Sequence, residues 1–408
     1  MKALDRLLRY VKVYTTSDPE SESVPTTARQ LDLAKILCEE LKELGISDAR
    51  ISESGYVYGS IPATAGLEDA PALGLIAHMD TAPNFSGEHV NPRIIPDYDG
   101  KDVALGNSGR VLSTEMFPWL PSLAGRTLVT TDGTTLLGAD DKAGVAEIMT
   151  AVETVLKEGL PHGKLCIAFT PDEEVGKGPD HFDVKGFGAD YAYTLDGGPE
   201  NEISFDNFNA AEARITVQGF SIHPGESKDK MINAALVAYE FNSMLPAGDT
   251  PRNTEGYEGF FHLTEMSGNV DRASASYIVR EHDKALFEGR KKTMEHITAL
   301  LNAKYGEGTV TLKIREQYRN MREIIEKVPF MMDHADQAMT AAGLTPDHTP
   351  TRGGTDGATL SFMGLPCPNL GTGGYAFHGP YEHITAEGMD TAVKVVLELI
   401  RLFSQSTR

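Results

Sequence analysis

Cysteine is scarce in these 408 residues: Cys38, Cys166 and Cys367 are odd in number, far apart, set in apolar surroundings, and form no C-x-x-C pair. They do not read as a disulfide framework. They read as buried thiols of a reducing compartment, the cytoplasm. Positive charge is also short, with 37 Lys and Arg against 59 Asp and Glu and a formal net charge of -22. That balance argues against nucleic acid as a partner, because such affinity rests on Lys and Arg displacing counterions from phosphates. No stretch approaches the roughly 18 apolar residues of a membrane span. The opening "MKALDRLLRYVKVYTTSD" interrupts Leu4, Leu7, Leu8 and Val11 with Lys and Arg, which suits one helical face and not a signal core. A cytoplasmic protein with no membrane and no nucleic acid partner is expected.

What is present is a chain long enough for two or three domains. Leu31, Ala34, Leu37, Cys38, Leu41 and Leu44 lie on one face of a helix that stops at Gly45. "ARISE" and "YVYGSIP" look like paired strands, "ALGLIAHMD" like a buried one, and the Pro-, Gly-, Asn- and Asp-rich stretch from Thr81 to Ser122 like a long surface excursion. "LLGADDKAGVAEIMTAVETVLKEG" is a turn feeding a helix, and "KLCIAFT" and "YAYTLD" are further strands. Strands alternating with helices predict an α/β fold, a mostly parallel sheet with helices on both faces. From Phe208 to Met321 the order becomes strand, helix, strand, strand, helix, strand, the ferredoxin-like α+β pattern. The expected organisation is 1-207 with 322-408 as a catalytic di-metal domain, and 208-321 as an inserted lid or dimerisation-type domain.

In open parallel sheets, ligands bind beyond the carboxyl ends of the strands. His78 and Asp80 in "AHMD", Asp172 to Glu174 in "TPDEEVGKG" and Asp196 in "TLDGG" sit where strands end. Asp140 and Asp141 in "GADDKAG" precede a helix, and His378 stands in "FHGPYEH". Each alone has an ordinary reading; acidic residues before a helix, for instance, suit its dipole. Together, imidazoles and several carboxylates suit a pair of divalent cations, zinc first and manganese or cobalt close behind. One carboxylate must then bridge, and the glycine-flanked Asp140 is placed for it. Adjacent residues leaving a strand point to opposite sides, so Glu173 and Glu174 can face different tasks.

"HMD", "GADDKAG", "PDEEVGKG", "LDGG", "HPGESKDKMINA", "GGTDG" and "HGPYE" occur in that order. The set resembles the motifs of the co-catalytic zinc exopeptidases, the family of carboxypeptidase G and succinyl-diaminopimelate desuccinylase, and within it the tripeptide aminopeptidases along nearly the whole chain. The resemblance implies that His78, Asp140 and Asp196 hold one metal and Asp140, Glu174 and His378 the other. It implies that Asp80 orients the imidazole of His78, that the Asp140–Asp141 peptide is cis, and that Glu173 is the general base. His383, five residues beyond His378, is a rival ligand.

Removal of the N-terminal residue from tripeptides is the activity this likeness implies, with a short peptide as partner. His223, Asn233, Arg280 and Arg352 are the candidates for binding substrate: the arginines could grip a terminal carboxylate as a fork, and the likeness favours His223 for stabilising the oxyanion. Arg280 has a rival reading as a cross-strand ion pair with Glu281 or a neighbour. "GGTDG" also reads as a turn capped by Thr355 or Asp356, and Asp172 as a turn or supporting residue. Whether the protein acts as a monomer or homodimer, and whether His223 serves its own subunit, stay open. So do a dipeptidase, carboxypeptidase or N-acyl amino acid amidohydrolase of the same family, and a noncatalytic metal-dependent peptide binder.

Overall fold

A computed structural model describes residues 1–407. Two compact units divide the chain: one is Met1–Phe205 with Glu323–His348 and the segment beginning at Thr355, the other Asp206–Arg322 with Thr349–Gly354.

The first unit is built on a seven-stranded sheet. Its middle is parallel: Leu165–Thr170 pairs with Leu73–His78, which pairs with Tyr191–Leu195, which pairs with Asn369–Leu370. Antiparallel strands close both sides, Val57–Ile61 and Arg50–Ile51 on one and Ile203–Ser204 on the other. The two central six-residue strands are buried throughout, which is why they read as unbroken apolar runs and not as alternation. Successive residues still face opposite ways. Leu75, Ala77, Ile167 and Phe169 join a core with the helices Ala3–Tyr10, Gln30–Glu43, Ala139–Glu158, Phe330–Ala341 and Ala386–Ser404. Ile76, Cys166 and Ala168 join Phe182, Phe187, Leu360 and Cys367 on the other side. Helices cover both faces, as the α/β reading expects.

The stretch read as an irregular excursion holds the strands Arg93–Ile95, Val103–Ala104 and Val111–Leu112. Arg93–Ile95 joins Leu128–Thr130, His383–Thr385 and Gly374–Tyr375 in a separate antiparallel sheet. Val103–Ala104 and Val111–Leu112 pair locally with each other; strands of two or three residues are too short to show a period.

In the second unit four antiparallel strands lie in the order Phe260–Gly268, Arg272–Glu281, Asn209–Gln218, Val310–Tyr318. Ala211, Ala213, Ile215 and Val217 alternate inward and pack with the helices Ala234–Met244 and Lys284–Tyr305, leaving the other face polar. Thr349–Gly354 belongs to this unit, where the sequence reading had assigned Arg352 to the catalytic segment. The reason is polar. Arg352 donates from Nη1 to the carbonyls of Gly256 and Glu258 and from Nη2 to Thr254, and its guanidinium lies 5.0 Å from the centre of the Phe208 ring.

Candidate metal centre

His78 is the last residue of its strand, Asp196 follows the strand Tyr191–Leu195, and the turn Glu173–Val175 begins three residues after Thr170. Asp140 lies in the non-helical start of Ala139–Glu158, and His378 lies in the loop between Gly374–Tyr375 and His383–Thr385. The parallel strands thus deliver three of the groups at their carboxyl ends. Gly144 lets the helix come close: a Cβ there would stand 2.2 Å from the carbonyl oxygen of Leu195, next to Asp196.

Asp140 sits between two imidazoles, its Oδ1 3.0 Å from Nε2 of His78 and its Oδ2 3.2 Å from Nε2 of His378. Nε2 of His378 is also 3.0 Å from Oε2 of Glu174, and Nε2 of His78 is 3.7 Å from Oδ1 of Asp196. Asp141 also has a carboxylate oxygen within 4.8 Å of potential ligand atoms of His78 and Asp196. Its oxygens, however, accept the backbone N–H groups of His78 at 3.0 Å and Gly144 at 3.2 Å. That bonding makes Asp141 a support for the backbone and leaves Asp140 facing both histidines across the cis Asp140–Asp141 peptide.

The charges are strongly coupled. Burial would raise the carboxyl of Asp140, but hydrogen bonds from His378 and His78 outweigh it and hold the group well below the usual carboxylate range. His378 is pushed up to about 10 by Asp140 and then Glu174. Glu174 is raised to about 7 by burial and then by Asp140. Burial, then the charge of Asp196, drives Glu173 well above its ordinary value. Crowded carboxylates of this kind are relieved by cations. Oε1 of Glu174 is buried without a hydrogen-bond partner among the described residues. With an orphaned carboxylate oxygen, two imidazoles and three carboxylates of mixed N and O character, the residues fit a pair of divalent cations.

Asp80 touches the centre at two places. Nδ1 of His78 is 3.1 Å from the main-chain carbonyl of Asp80 and 3.4 Å from its carboxylate. The carboxylate itself accepts the backbone N–H groups of Glu173 at 3.0 Å and Glu174 at 3.2 Å. It therefore aims the Glu173–Glu174 turn. The rival His383 is fully buried; its Nδ1 donates to the carbonyl of Tyr381 at 2.8 Å and its Nε2 accepts from Trp119 Nε1 at 3.2 Å. Both of its nitrogens are spent away from the centre.

Two carboxylates that the sequence reading left without such a role frame the site. Glu382 accepts N–H groups from Leu137 at 2.7 Å, Gly138 at 2.9 Å and Asp140 at 3.0 Å. Its place in "HGPYE" was the available signal, but nothing local names the turn it would hold. Asp356 is buried, accepts from the hydroxyl of Thr170 at 2.7 Å, and packs on Gly178, where a Cβ would overlap it. Thr355, and not Asp356, caps the helix Asp356–Phe362.

The remaining candidates belong to the second unit. His223 is exposed, its Nδ1 accepting from Gly225 N–H at 3.2 Å. Asn233 caps the helix Ala234–Met244. Arg280 donates from Nη1 to the carbonyls of Ala211 and Val279 and lies over the ring of Tyr318. Glu281 instead pairs with Arg290 at 2.9 Å.

Comparison with known proteins agrees with this architecture. A profile described as peptidase family M20/M25/M40 matches residues 130–402. Peptidase T of Clostridium perfringens strain 13 is 53% identical over 405 residues, covering 99% of each chain. Peptidase T of Geobacillus kaustophilus is 51% identical over 404 residues, covering 98% of each. The crystal structure of aminopeptidase PepT from Bacillus cereus superposes with a TM-score of 0.79 at 21% identity over 99% of this chain and 98% of that one, which shows the same fold. This chain belongs to peptidase family M20/M25/M40.

Proposed function

We propose that this protein is a metal-dependent aminopeptidase that removes the N-terminal residue of tripeptides, a reading supported by its full-length likeness to peptidase T. The observation that carries the chemistry is Asp140 held between His78 and His378. His78, Asp140 and Asp196 would hold one ion, and Asp140, Glu174 and His378 the other, with zinc the first choice and manganese or cobalt alternatives. Ions bound there would supply Lewis acidity, acidifying water and polarising the scissile carbonyl.

The chain's own residues do the rest. Glu173, its main-chain N–H fixed on Asp80, takes a proton from the attacking water and returns it to the departing amine. Of the two arginines, we retain Arg280 for the substrate's carboxylate. It donates from Nη1 to two carbonyls and also contacts Tyr318, whereas both terminal nitrogens of Arg352 are committed to Thr254–Glu258. His223 is assigned to the oxyanion, Asn233 to substrate contact, and the segment 208-321 to a lid. Three buried, unpaired cysteines suit a cytoplasmic location; no helix among the described residues is long and apolar enough to cross a membrane.

The test uses protein loaded with zinc, manganese or cobalt and offered a free tripeptide, its N-acetylated form, its C-terminal amide and a matched dipeptide. The free tripeptide should be cut fastest, and Glu173→Gln should abolish turnover. Equal cleavage of the acetylated peptide would sink the aminopeptidase assignment. Equal cleavage of the amide would remove the role given to Arg280.

A further inference from the structure

Residues 11–29 connect the first two helices, Ala3–Tyr10 and Gln30–Glu43, with no helix or strand of their own. They lie outside the stretch matched by the family profile. Yet this segment is tied to three of the segments that carry metal-centre residues. The carbonyl of Val13 accepts from Nζ of Lys142 at 2.8 Å, two residues beyond Asp140. Thr16 bridges Thr81, their hydroxyls 2.9 Å apart, and Ser17 N–H donates to the carbonyl of Thr81 at 3.3 Å, three residues beyond His78. The hydroxyl of Thr27 donates back to the carbonyl of Thr16 at 2.8 Å, closing the segment on itself.

The third tie is the densest, and it reaches the middle of the acidic run. Asp172 is 2% exposed. Its carboxylate accepts the N–H of Thr26 at 2.8 Å, the hydroxyl of Thr26, and Nε2 of Gln30 at 2.6 Å. Gln30 Oε1 in turn accepts the N–H of Asp172 at 3.1 Å, so the two residues exchange bonds. Lys177, at the far end of the same loop, donates to the carbonyl of Ser21 at 2.8 Å.

Asp172 has φ of 63° and ψ of 22°, a left-handed conformation that Asp tolerates better than most residues. It bends the chain off the strand so that the next two N–H groups meet the carboxylate of Asp80. The turn bearing Glu173 and Glu174 is thus pinned from both sides. Asp80 grips its backbone, and Asp172 fastens its start to the N-terminal segment. Hydrogen bonds to an ionised carboxylate are roughly twice as strong as neutral ones, so this attachment is stiff.

We infer that Val13–Gln30 is a brace for the metal-bearing loops, and that Asp172 is the positioning residue through which it sets Glu173 and Glu174. The inference rests on Glu173 being the base and Glu174 a metal ligand. It gives the acidic run a division of labour: one carboxylate for the proton, one for the metal, one for the scaffold.

The test compares Gln30→Met, Thr26→Val, Thr26→Ser, Asp172→Asn and the Asp172→Asn/Gln30→Met double variant. Gln30→Met removes both exchanged bonds while keeping length and packing. Thr26→Ser keeps the hydroxyl that Thr26→Val loses. Expected for Gln30→Met and Asp172→Asn are a fall in kcat of about 10–100-fold, the range seen when partners of metal ligands are removed, with KM little changed. Zinc affinity, read by competition with a chromophoric chelator, should weaken, and amide exchange in a peptide spanning 171–178 should accelerate. Thr26→Ser should behave as the parent, and the double variant should be no worse than Asp172→Asn, because the pair acts as a unit. Unchanged kcat, zinc affinity and local exchange, with only a lower unfolding midpoint, would reduce the segment to a structural strap and overturn the inference. Zinc affinity and exchange need no substrate. If they shift while the parent protein fails to cut tripeptides, the functional reading falls and the brace stands.

Discussion

The carboxylate of Glu382 accepts the backbone N–H of Asp140 at 3.0 Å, and with it those of Leu137 and Gly138. A glutamate read only as part of a motif therefore sets the angle at which Asp140 leaves its turn. Glu382→Gln keeps the shape but replaces one acceptor oxygen with an NH2 that faces an N–H group. Tripeptide turnover should fall about 10–100-fold with weaker zinc binding. Wild-type zinc affinity in this variant would show that the turn holds its form without Glu382.

The bridging role proposed for Asp140 predicts unequal effects among the proposed ligands. Asp140→Asn should reduce the bound metal from two ions to fewer than one per chain, while Asp196→Asn should leave one tightly held ion. Metal content after gel filtration decides this. Chelator treatment should abolish activity and lower thermal stability, since ions that bind only the folded chain stabilise it; zinc, manganese or cobalt should restore both.

Asp80 aims the Glu173–Glu174 turn through two backbone N–H groups. Asp80→Asn should therefore depress kcat by about 10–100-fold and leave KM nearly unchanged. A change confined to KM would mean that Asp80 serves substrate binding instead.

Arg352 holds the Thr254–Glu258 loop by hydrogen bonds from both Nη atoms. Bonds to a charged donor contribute about 1.5–3 kcal/mol each where well formed, so Arg352→Ala should destabilise the protein by about 2 kcal/mol in denaturant unfolding. A raised KM with no loss of stability would restore Arg352 to the substrate clamp.

Burial lowers His383 to about 4, against the carbonyl of Tyr381 that raises it. Above its ordinary value near 6.5 the ring is neutral in both folded and unfolded chains, and its contribution is fully present. As pH falls from 6.5 towards 4, only the unfolded chain takes up the proton, and the folded state loses about 3 kcal/mol from this group. His383→Gln, which still offers an acceptor to Trp119, should remove that dependence. Denaturant midpoints of both proteins between pH 7 and 4 should converge; parallel curves would refute the assignment.

Much of the fold was legible because it follows from period and run length. The buried strands Leu73–His78 and Leu165–Thr170 stand out as apolar runs, and the alternation Ala211, Ala213, Ile215, Val217 marks a one-sided sheet. The short strands Arg93–Ile95 and Gly374–Tyr375 do not, because two or three residues have no period and are strands only through the segments they pair with. Of the candidate centre, the sequence named the residue types and their order.

By itself, then, the sequence determined which side chains can hold a cation or move a proton, and that strands would carry them to a common edge. Tertiary structure alone decided what each carboxylate does. Asp140 and Asp141 are adjacent and chemically alike, yet one meets two imidazoles and the other two backbone N–H groups. In "PDEEVGKG", Asp172 turns away from the metal centre to Thr26 and Gln30. The physical reason is the same in each case: a carboxylate takes the role of whichever donor stands within about 3 Å, and those donors lie anywhere from 3 to 238 residues away along the chain.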